Sequence, residues 1–221
     1  MLYFNLHTHS AGDSHSISIQ NVHSSFLHVP ATGYYSIGVH PWYLNEETVR
    51  DEMRELRIAI DQHNILAIGE CGLDRMSTSD FELQKRYFIE QIKIAKDVSK
   101  PLIVHCVRAH EESLHILKTY NNLVPVLFHG YNKTLELAEK IVAAGHYLSF
   151  GHSLLSSAIN QEVFKAIPSE RIFLENDDSS LSIEQVYSEA ARIKDVDVNL
   201  LLHHIHQNAQ VVFGRNFLEN E

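Results

Sequence analysis

Short apolar runs alternate with longer amphipathic segments along most of the chain. Seven runs are short enough to be β-strands, and nearly all of their positions are apolar, as in strands that are buried on both faces. Between the runs, apolar residues recur every three or four positions, which is typical of helices that bury one face. The runs span residues 2–9, 35–41, 66–71, 101–106, 125–129, 146–151 and 172–177. This alternation predicts a parallel sheet whose strands are joined by helices.

The helical segments are clearest at residues 46–63 and 81–98, and two further helices are expected at 183–193 and 200–213. Segment 11–34 breaks the pattern, because residues 17–22 and 26–29 could be short strands and no ordinary helix fits between them. Periodicity does not distinguish an open sheet from a closed barrel, but strands covered on both faces favour the barrel. The sequence therefore predicts an α/β fold, a TIM-type (β/α) barrel distorted by one short or missing early helix.

Length and composition set the broad class of protein. With 221 residues and 44% hydrophobic content, the chain can form one domain over residues 1–221. No apolar stretch approaches the length of a membrane span, and the first residues lack a charged leader and a cleavage site, so we expect a cytoplasmic protein. Two cysteines, Cys71 and Cys106, are too few for a disulfide framework and suit a reducing compartment. No obligate protein partner is evident.

The charge balance restricts how the chain could bind nucleic acid. A formal net charge of −10 and an isoelectric point near 5.9 oppose the broad basic surface that duplex binding normally uses. Any contact with nucleic acid is therefore expected to be local. The 16 histidines point in another direction, because neutral imidazole is the commonest metal ligand in proteins.

Candidate ligands stand at the ends of the predicted strands. His7 and His9 alternate along the first strand, so their side chains project from the same face. In a (β/α) barrel the carboxyl ends of the strands form one rim, and function resides there. The residues at these ends are His7, His9, His40, Glu70, His105, His129, Glu175 and Asp177, and His152 follows the run 146–151.

Four histidines and two carboxylates suit two divalent metal ions bridged by one carboxylate, which together make a shared water nucleophilic. Glu70 is the natural bridge, because Gly69 and Gly72 let the backbone approach closely beside it. Asp177 would bind one metal and act as general base, then pass the proton to the leaving group. The catalytic residues predicted from the sequence are therefore Glu70 and Asp177.

Taken together, these motifs resemble the TatD family of metal-dependent deoxyribonucleases, which is part of the amidohydrolase-like superfamily. They occur in family order over nearly the whole chain, and together they are a specific signal. The motifs are LHTH at 6–9, GVHP at 38–41, IGECGLD at 68–74, IVH at 103–105, LFH at 127–129, FLEND at 173–177 and NAQVVFG at 208–214.

The resemblance implies a set of ligands and a reaction. One metal would lie on His7, His9 and Asp177, and the second on His105 and His129, with Glu70 shared by both. His40 would contact the scissile phosphate. The family hydrolyses phosphodiester bonds in DNA with magnesium or another divalent ion, so the resemblance implies two divalent ions (Mg, Mn or Zn) and a DNA or small phosphodiester substrate, cut at DNA ends or in single strands.

The chain departs from the family pattern at three places. The region between His9 and Gly38 is short, Val107 and Arg108 follow His105 in place of the family's earlier arginine, and Asn176 stands where the family has threonine. These changes spare the metal ligands and affect the substrate cleft. The other candidate substrate-binding residues are Arg108 and His152. Asp74, Trp42 and Tyr131 are assigned structural roles, although both aromatic rings could stack on a base.

Three other functions fit the same residues. The opening motif at residues 5–10 also resembles PHP-type phosphoesterases, although their later histidine pattern is not evident. An amide- or lactone-cleaving amidohydrolase would use the same activated water. The shortened segment 10–37 also allows a metal-binding scaffold without catalysis.

Overall fold

The computed structural model describes residues 1–12, 14–121 and 123–214, and it contains eight strands. Each strand is hydrogen-bonded to the next in chain order, from β1 to β8. The strands are β1 Tyr3–Thr8, β2 Ser16–Val22, β3 Tyr34–Ile37, β4 Ile65–Asp74, β5 Leu102–Val107, β6 Val126–Phe128, β7 Tyr147–Phe150 and β8 Ile172–Leu174. All seven apolar runs contain a strand, and the strand predicted at 17–22 is also confirmed.

Eight α-helices follow the strands from β3 onward in the described part of the chain. They are α1 Val49–Ala59, α2 Phe81–Val98, α3 His110–Thr119, α4 Leu135–Ala143, α5 Ser153–Ser156, α6 Ala158–Ala166, α7 Ile183–Lys194 and α8 Val198–Phe213. Capping residues mark the positions where several of these helices begin. Asp80 caps α2 by accepting from the Leu83 N–H at 2.8 Å, and Ser182 and Gln185 form a capping box at α7.

The early segment has no ordinary helix, as predicted. The described residues between β1 and β2 contain no helix, and β2 and β3 are joined through a single 3-10 turn, Phe26–His28. The prediction of a strand at 26–29 is wrong. Ser25 adopts a left-handed backbone with φ 54°, and its carbonyl accepts from the His28 N–H at 2.9 Å, so the chain turns instead of extending while Phe26 is buried.

The described chain divides into two compact units. The continuous unit is Gln20–Leu127, and the split unit combines Met1–Ile19 with the described residues from Phe128 onward. In the continuous unit, β3, β4 and β5 form parallel pairs. In the split unit, β7 and β8 pair in parallel, and Thr8 at the end of β1 bridges to Asp177 just beyond β8.

Each unit has an apolar core built from its strands and the inner faces of its helices. In the split unit, Phe4 and Phe173 are buried with ring centroids 5.8 Å apart. In the continuous unit, Leu56, Phe88 and Ile92 are buried on the inner faces of α1 and α2. Such burial stabilises each core by about 25 cal/mol per Å² of apolar surface.

In the part of the chain that the structure describes, no helix has the length and apolar character needed to cross a membrane.

Candidate metal centre

The split unit brings together four of the predicted ligands. Asp177 Oδ1 lies 3.2 Å from His9 Nε2 and 3.5 Å from His7 Nε2. The ring of His129 lies 4.5 Å from that of His7, and donor atoms of His7, His129 and Asp177 all lie within 4.8 Å of one another. Since metal–ligand bonds are about 2.0–2.2 Å long, this spacing fits ligands of one cation or of two adjacent cations.

Backbone contacts hold Asp177 beside the first strand. Its N–H donates to the His7 carbonyl at 3.0 Å, and its carbonyl accepts from the His9 N–H at 3.3 Å. Asp177 has a left-handed backbone with φ 54°, a conformation that aspartate tolerates better than most residues. The carboxylate is thus placed between His7 and His9 by the sheet itself.

A pair of amide side chains ties the same two segments together. Asn5 Nδ2 donates to Asn176 Oδ1 at 2.8 Å, and the Asn176 N–H donates back to Asn5 Oδ1 at 3.2 Å. Sequence reasoning noted Asn176 only as a departure and missed Asn5. The signal was present, because Asn5 shares the strand face of His7 and His9 and is the polar residue that precedes them on it.

Glu175 is placed to orient His129. Its Oε1 lies 3.4 Å from His129 Nδ1 and accepts from the Gly130 N–H at 2.6 Å. Gly151 makes room for it, since a Cβ there would lie 3.0 Å from the Glu175 carbonyl oxygen. Carboxylates that accept from a liganding imidazole fix its ring and raise its basicity, and Glu175 is placed to act on His129 in this way.

The continuous unit contains a second cluster, centred on Glu70. Its Oε1 lies 2.8 Å from His105 Nδ1 and 3.1 Å from His40 Nε2, and the three side chains are largely buried. The Trp42 N–H donates to His40 Nδ1 at 3.0 Å. Because an N–H can only donate, Nδ1 accepts, and the proton of a neutral His40 ring lies on Nε2, facing Glu70.

Asp74 has the structural role expected for it and also contacts a ligand residue of the cluster. Its Oδ1 accepts from the Met76 N–H at 2.7 Å, which caps the turn after β4. Its Oδ2 lies 2.9 Å from His105 Nε2 and accepts from Trp42 Nε1 at 2.5 Å. Burial alone would raise the pKa of Asp74, but the hydrogen bonds of His105 and Trp42 outweigh it and hold the pKa below its usual value.

His105 shows that this cluster suits a cation. A neutral imidazole has one N–H, so it can donate to Glu70 or to Asp74 but not to both. The other nitrogen and its carboxylate oxygen then face each other with lone pairs, a repulsion that a cation or a second ring proton removes. If Asp74 accepts from Nε2–H, the lone pair of Nδ1 faces Glu70, and His105 and Glu70 would together be able to hold a metal ion.

Asn21 on β2 is a residue that sequence reasoning missed. Its Oδ1 accepts from the Glu70 N–H at 2.8 Å, and its Nδ2 donates to Glu70 Oε2 at 3.4 Å. The signal lay in the alternation of β2, where Ile17, Ile19 and Asn21 share the buried face. A single amide on an otherwise apolar buried face needs a partner, and that partner is Glu70.

Two glycines bring β4 into contact with β5, as expected from the sequence. A Cβ at Gly69 would lie 2.4 Å from the Ile103 carbonyl oxygen, and one at Gly72 would lie 2.1 Å from the His105 carbonyl oxygen. Both glycines also have positive φ angles, 154° and 138°. Only glycine at these positions lets β4 carry Glu70 up to the strand of His105.

Two buried glutamines on α2 hold the segments that carry site residues, and sequence reasoning missed both. Gln91 accepts from the Val39 N–H at 2.8 Å and donates to the Val39 carbonyl at 3.1 Å, next to His40. Gln84 accepts from the Asp74 N–H at 2.8 Å and donates to the Asp74 carbonyl at 3.0 Å. The sequence does carry a signal for both residues, because each is a polar residue on the buried face of an amphipathic helix.

The remaining candidates lie at the surface. Arg108 is exposed just after β5 with φ 52°, and His152 is exposed at the start of α5. Neither belongs to the metal-ligand clusters found among the described residues. Tyr131 is buried, as expected, whereas Trp42 is 54% exposed. His203, His204 and His206 lie on the exposed or half-buried side of α8.

Comparison with known sequences identifies relatives over most of the chain. The profile of a family described as "TatD related DNase" matches residues 8–214. The 3'-5' ssDNA/RNA exonuclease TatD of Escherichia coli K12 is 31% identical over 145 residues, which cover 63% of this chain and 55% of that protein. An uncharacterized metal-dependent hydrolase of Buchnera aphidicola is 31% identical over 151 residues, covering 66% of this chain and 56% of that protein. The chain thus spans little more than half of these two relatives.

Solved structures extend the likeness to the fold. A TatD-family hydrolase from Entamoeba histolytica has a TM-score of 0.81 at 16% identity, covering 97% of this chain and 99% of that chain. The TatD homologue YjjV from Escherichia coli K12 has a TM-score of 0.78 at 21% identity, covering 90% and 86%. At such identities the likeness concerns the fold, and it confirms the predicted TIM-type α/β class.

Proposed function

This chain belongs to the TatD family of metal-dependent hydrolases, and we propose that it cleaves phosphodiester bonds in DNA, at ends or in single strands. The observation that supports the proposal most directly is the pair of histidine–carboxylate clusters around Asp177 and Glu70. The Escherichia coli relative is named as an exonuclease on single-stranded DNA and RNA, which favours a single-stranded nucleic acid substrate.

We assign the ligands as the family resemblance implies. His7, His9 and Asp177 would hold one divalent cation, His105 and His129 would hold the second, and Glu70 would serve both. His129 lies beside His7, with ring centroids 4.5 Å apart, so these two ligands would lie close to each other in a centre with two cations. Oxygen and imidazole ligands accept magnesium, manganese or zinc.

The side chains around the cations have different roles in the reaction. Bound cations supply Lewis-acid charge and lower the pKa of the attacking water. Asp177, whose carboxylate is partly open to solvent, takes the proton from that water and passes it to the leaving oxygen. His40 has its Nε2–H directed at Glu70, and it would turn this donor to a phosphate oxygen once Glu70 holds cations. Arg108 and His152 contact the substrate from the surface.

Cleavage assays on labelled single- and double-stranded DNA test this proposal. The metal-loaded protein is expected to cut the single strand, and Glu70→Gln or Asp177→Asn is expected to lower kcat/KM by about 10³-fold. Glu162→Gln, an exposed carboxylate on α6, is the control and keeps its rate. A metal-loaded wild type that binds cations but cuts no DNA would reject the nuclease and support a scaffold.

The comparisons do not favour the PHP-type or the amide- and lactone-cleaving alternatives, because the matching family model is that of a DNase. A cytoplasmic location also stays a prediction, to be checked by fractionating cells that express the protein.

A further inference from the structure

Trp42 is fixed at both ends and yet more than half exposed. Its indole Nε1 donates to Asp74 Oδ2 at 2.5 Å, and its backbone N–H donates to His40 Nδ1 at 3.0 Å. Even so, 54% of the residue faces solvent. An anchored aromatic ring with an open surface is a low-entropy surface for a planar ligand.

The indole borders the Glu70 cluster. Its ring centroid lies 5.3 Å from that of His40 and 5.6 Å from that of His105, and it is nearly perpendicular to both, at 86° and 76°. Tyr43, the next residue, and Met76, whose N–H donates to Asp74, are also exposed, by 54% and 61%. The ring of Tyr43 stacks on His23 at 4.6 Å and lies 5.4 Å from His40.

We propose that Trp42 is the stacking surface for the nucleobase attached to the phosphate that the Glu70 cluster receives, with Tyr43 at its side. The inference rests on the proposed function, because His40 must contact that phosphate while Glu70 and His105 hold the cation beside it. It makes the substrate a nucleotide chain rather than a simple phosphodiester.

The charge of the molecule supports a base as the occupant. With a net charge of −10, the chain lacks the excess of basic residues that binds a nucleic acid backbone by counterion release. Stacking of bases on aromatic rings is the other general source of single-strand affinity, and it accepts every base. Local stacking on Trp42 therefore provides affinity that the surface charge does not.

The competing explanation is that Trp42 serves only to position Asp74 through Nε1. Trp42→Phe separates the two, since phenylalanine keeps an aromatic face and loses the donor. If stacking is the role, kcat/KM on a thymidine oligonucleotide falls about 10-fold in Trp42→Ala and much less in Trp42→Phe. On an abasic oligonucleotide of the same length, both variants match wild type. Ile58→Ala, which removes an exposed side chain from α1, is the control.

Trp42 is the only tryptophan in the chain, so its fluorescence reports directly on a stacked base. The titration is made in the Asp177→Asn background, so that the oligonucleotide is not cut. Saturable quenching by the thymidine oligonucleotide, absent with the abasic one, is expected. Equal quenching by both, or equal losses in Trp42→Phe and Trp42→Ala, would overturn the proposal.

The two proposals fail in different ways. Cleavage of DNA that Trp42→Ala leaves unchanged would overturn the stacking surface and leave the nuclease intact. Base-dependent quenching without cleavage by wild type would support the stacking surface and reject the nuclease.

Discussion

Amide side chains hold Glu70 directly and hold the residue that precedes Asp177. Asn21 forms hydrogen bonds with the backbone N–H and the carboxylate of Glu70, and Asn5 forms hydrogen bonds with Asn176, next to Asp177. These contacts act on the orientation of ligands and do not themselves supply donors to a metal. Partners of this kind typically change metal affinity by about 10–100-fold when removed.

Replacing Asn21 by alanine is expected to weaken cation binding by about 10–100-fold, because Glu70 loses the two hydrogen bonds that Asn21 makes to its backbone N–H and its carboxylate. A titration with Mn²⁺ measures the change. Asn199→Ala, at an exposed position on α8, is the control and should bind as wild type does. Unchanged affinity in Asn21→Ala would show that Glu70 is held by other means.

For individual residues, the sequence predicted the candidate metal ligands better than the residues that hold those ligands in place. Ligands such as His105 and Asp177 lie at or near the carboxyl ends of strands. The topology of a parallel barrel alone predicts that these ends share one rim, so the ligands could be predicted without knowledge of any side-chain contact. Asn5 and Asn21 lie within strands, where one polar residue has many possible partners. Their partners depend on strand register, which hydrophobic alternation alone does not give.

Helix α2 acts as a support for the Glu70 cluster as well as a cover for the sheet. Gln84 and Gln91 are seven residues apart, about two turns, so both side chains leave from the same buried face. Gln91 completes the backbone hydrogen bonds of Val39, which lies beyond the end of β3 and next to His40, and Gln84 completes those of Asp74, the last residue of β4.

Gln91→Leu is expected to destabilise the fold by roughly 1–3 kcal/mol, because the N–H and carbonyl of Val39 lose their buried partners. Urea unfolding measures the free energy. Arg86→Gln, on the exposed side of the same helix, serves as the comparison and should shift it by less than about 0.5 kcal/mol. Equal stability of the two variants would contradict the supporting role.

The contact between β4 and β5 gives a second prediction. Gly72→Ala places a Cβ 2.1 Å from the His105 carbonyl oxygen, so the strands must separate, and a loss of about 3 kcal/mol or more is expected. Gly145→Ala is the matched control, because Gly145 has φ 89° and no atom within 4 Å of the added Cβ. Thermal unfolding of both proteins should show the larger loss for Gly72→Ala, and the reverse order would refute the close approach.

Helix periodicity predicted α2 at its observed bounds, because eighteen residues carry the pattern and Asp80 marks the start. The segment 26–29 was misassigned, since four apolar-rich residues fit a strand as well as a turn. The left-handed backbone of Ser25 decided the outcome, and serine gives no sequence signal for it.

At the scale of the whole molecule, buried titratable groups make the free energy of unfolding depend on pH. Burial, helped by the charge of Arg171, lowers the pKa of His146 to about 4 from 6.5. Between these values the unfolded chain binds a proton that the folded chain does not, so stability falls as the pH falls. The full effect is up to roughly 3 kcal/mol.

His146→Gln should therefore lose less stability than wild type between pH 7 and pH 5. Urea unfolding at both pH values gives the difference, and His63→Gln, at an exposed position, should follow wild type. Parallel pH dependence of His146→Gln and wild type would mean that His146 is not held neutral by burial.

Anomalous X-ray diffraction from crystals soaked in Mn²⁺ tests the metal assignment most directly. The account predicts two anomalous peaks, one against His7, His9 and Asp177 and one against His105 and His129, with Glu70 in contact with both. Peaks remote from these side chains, or none at a Mn²⁺ concentration that supports cleavage, would contradict it.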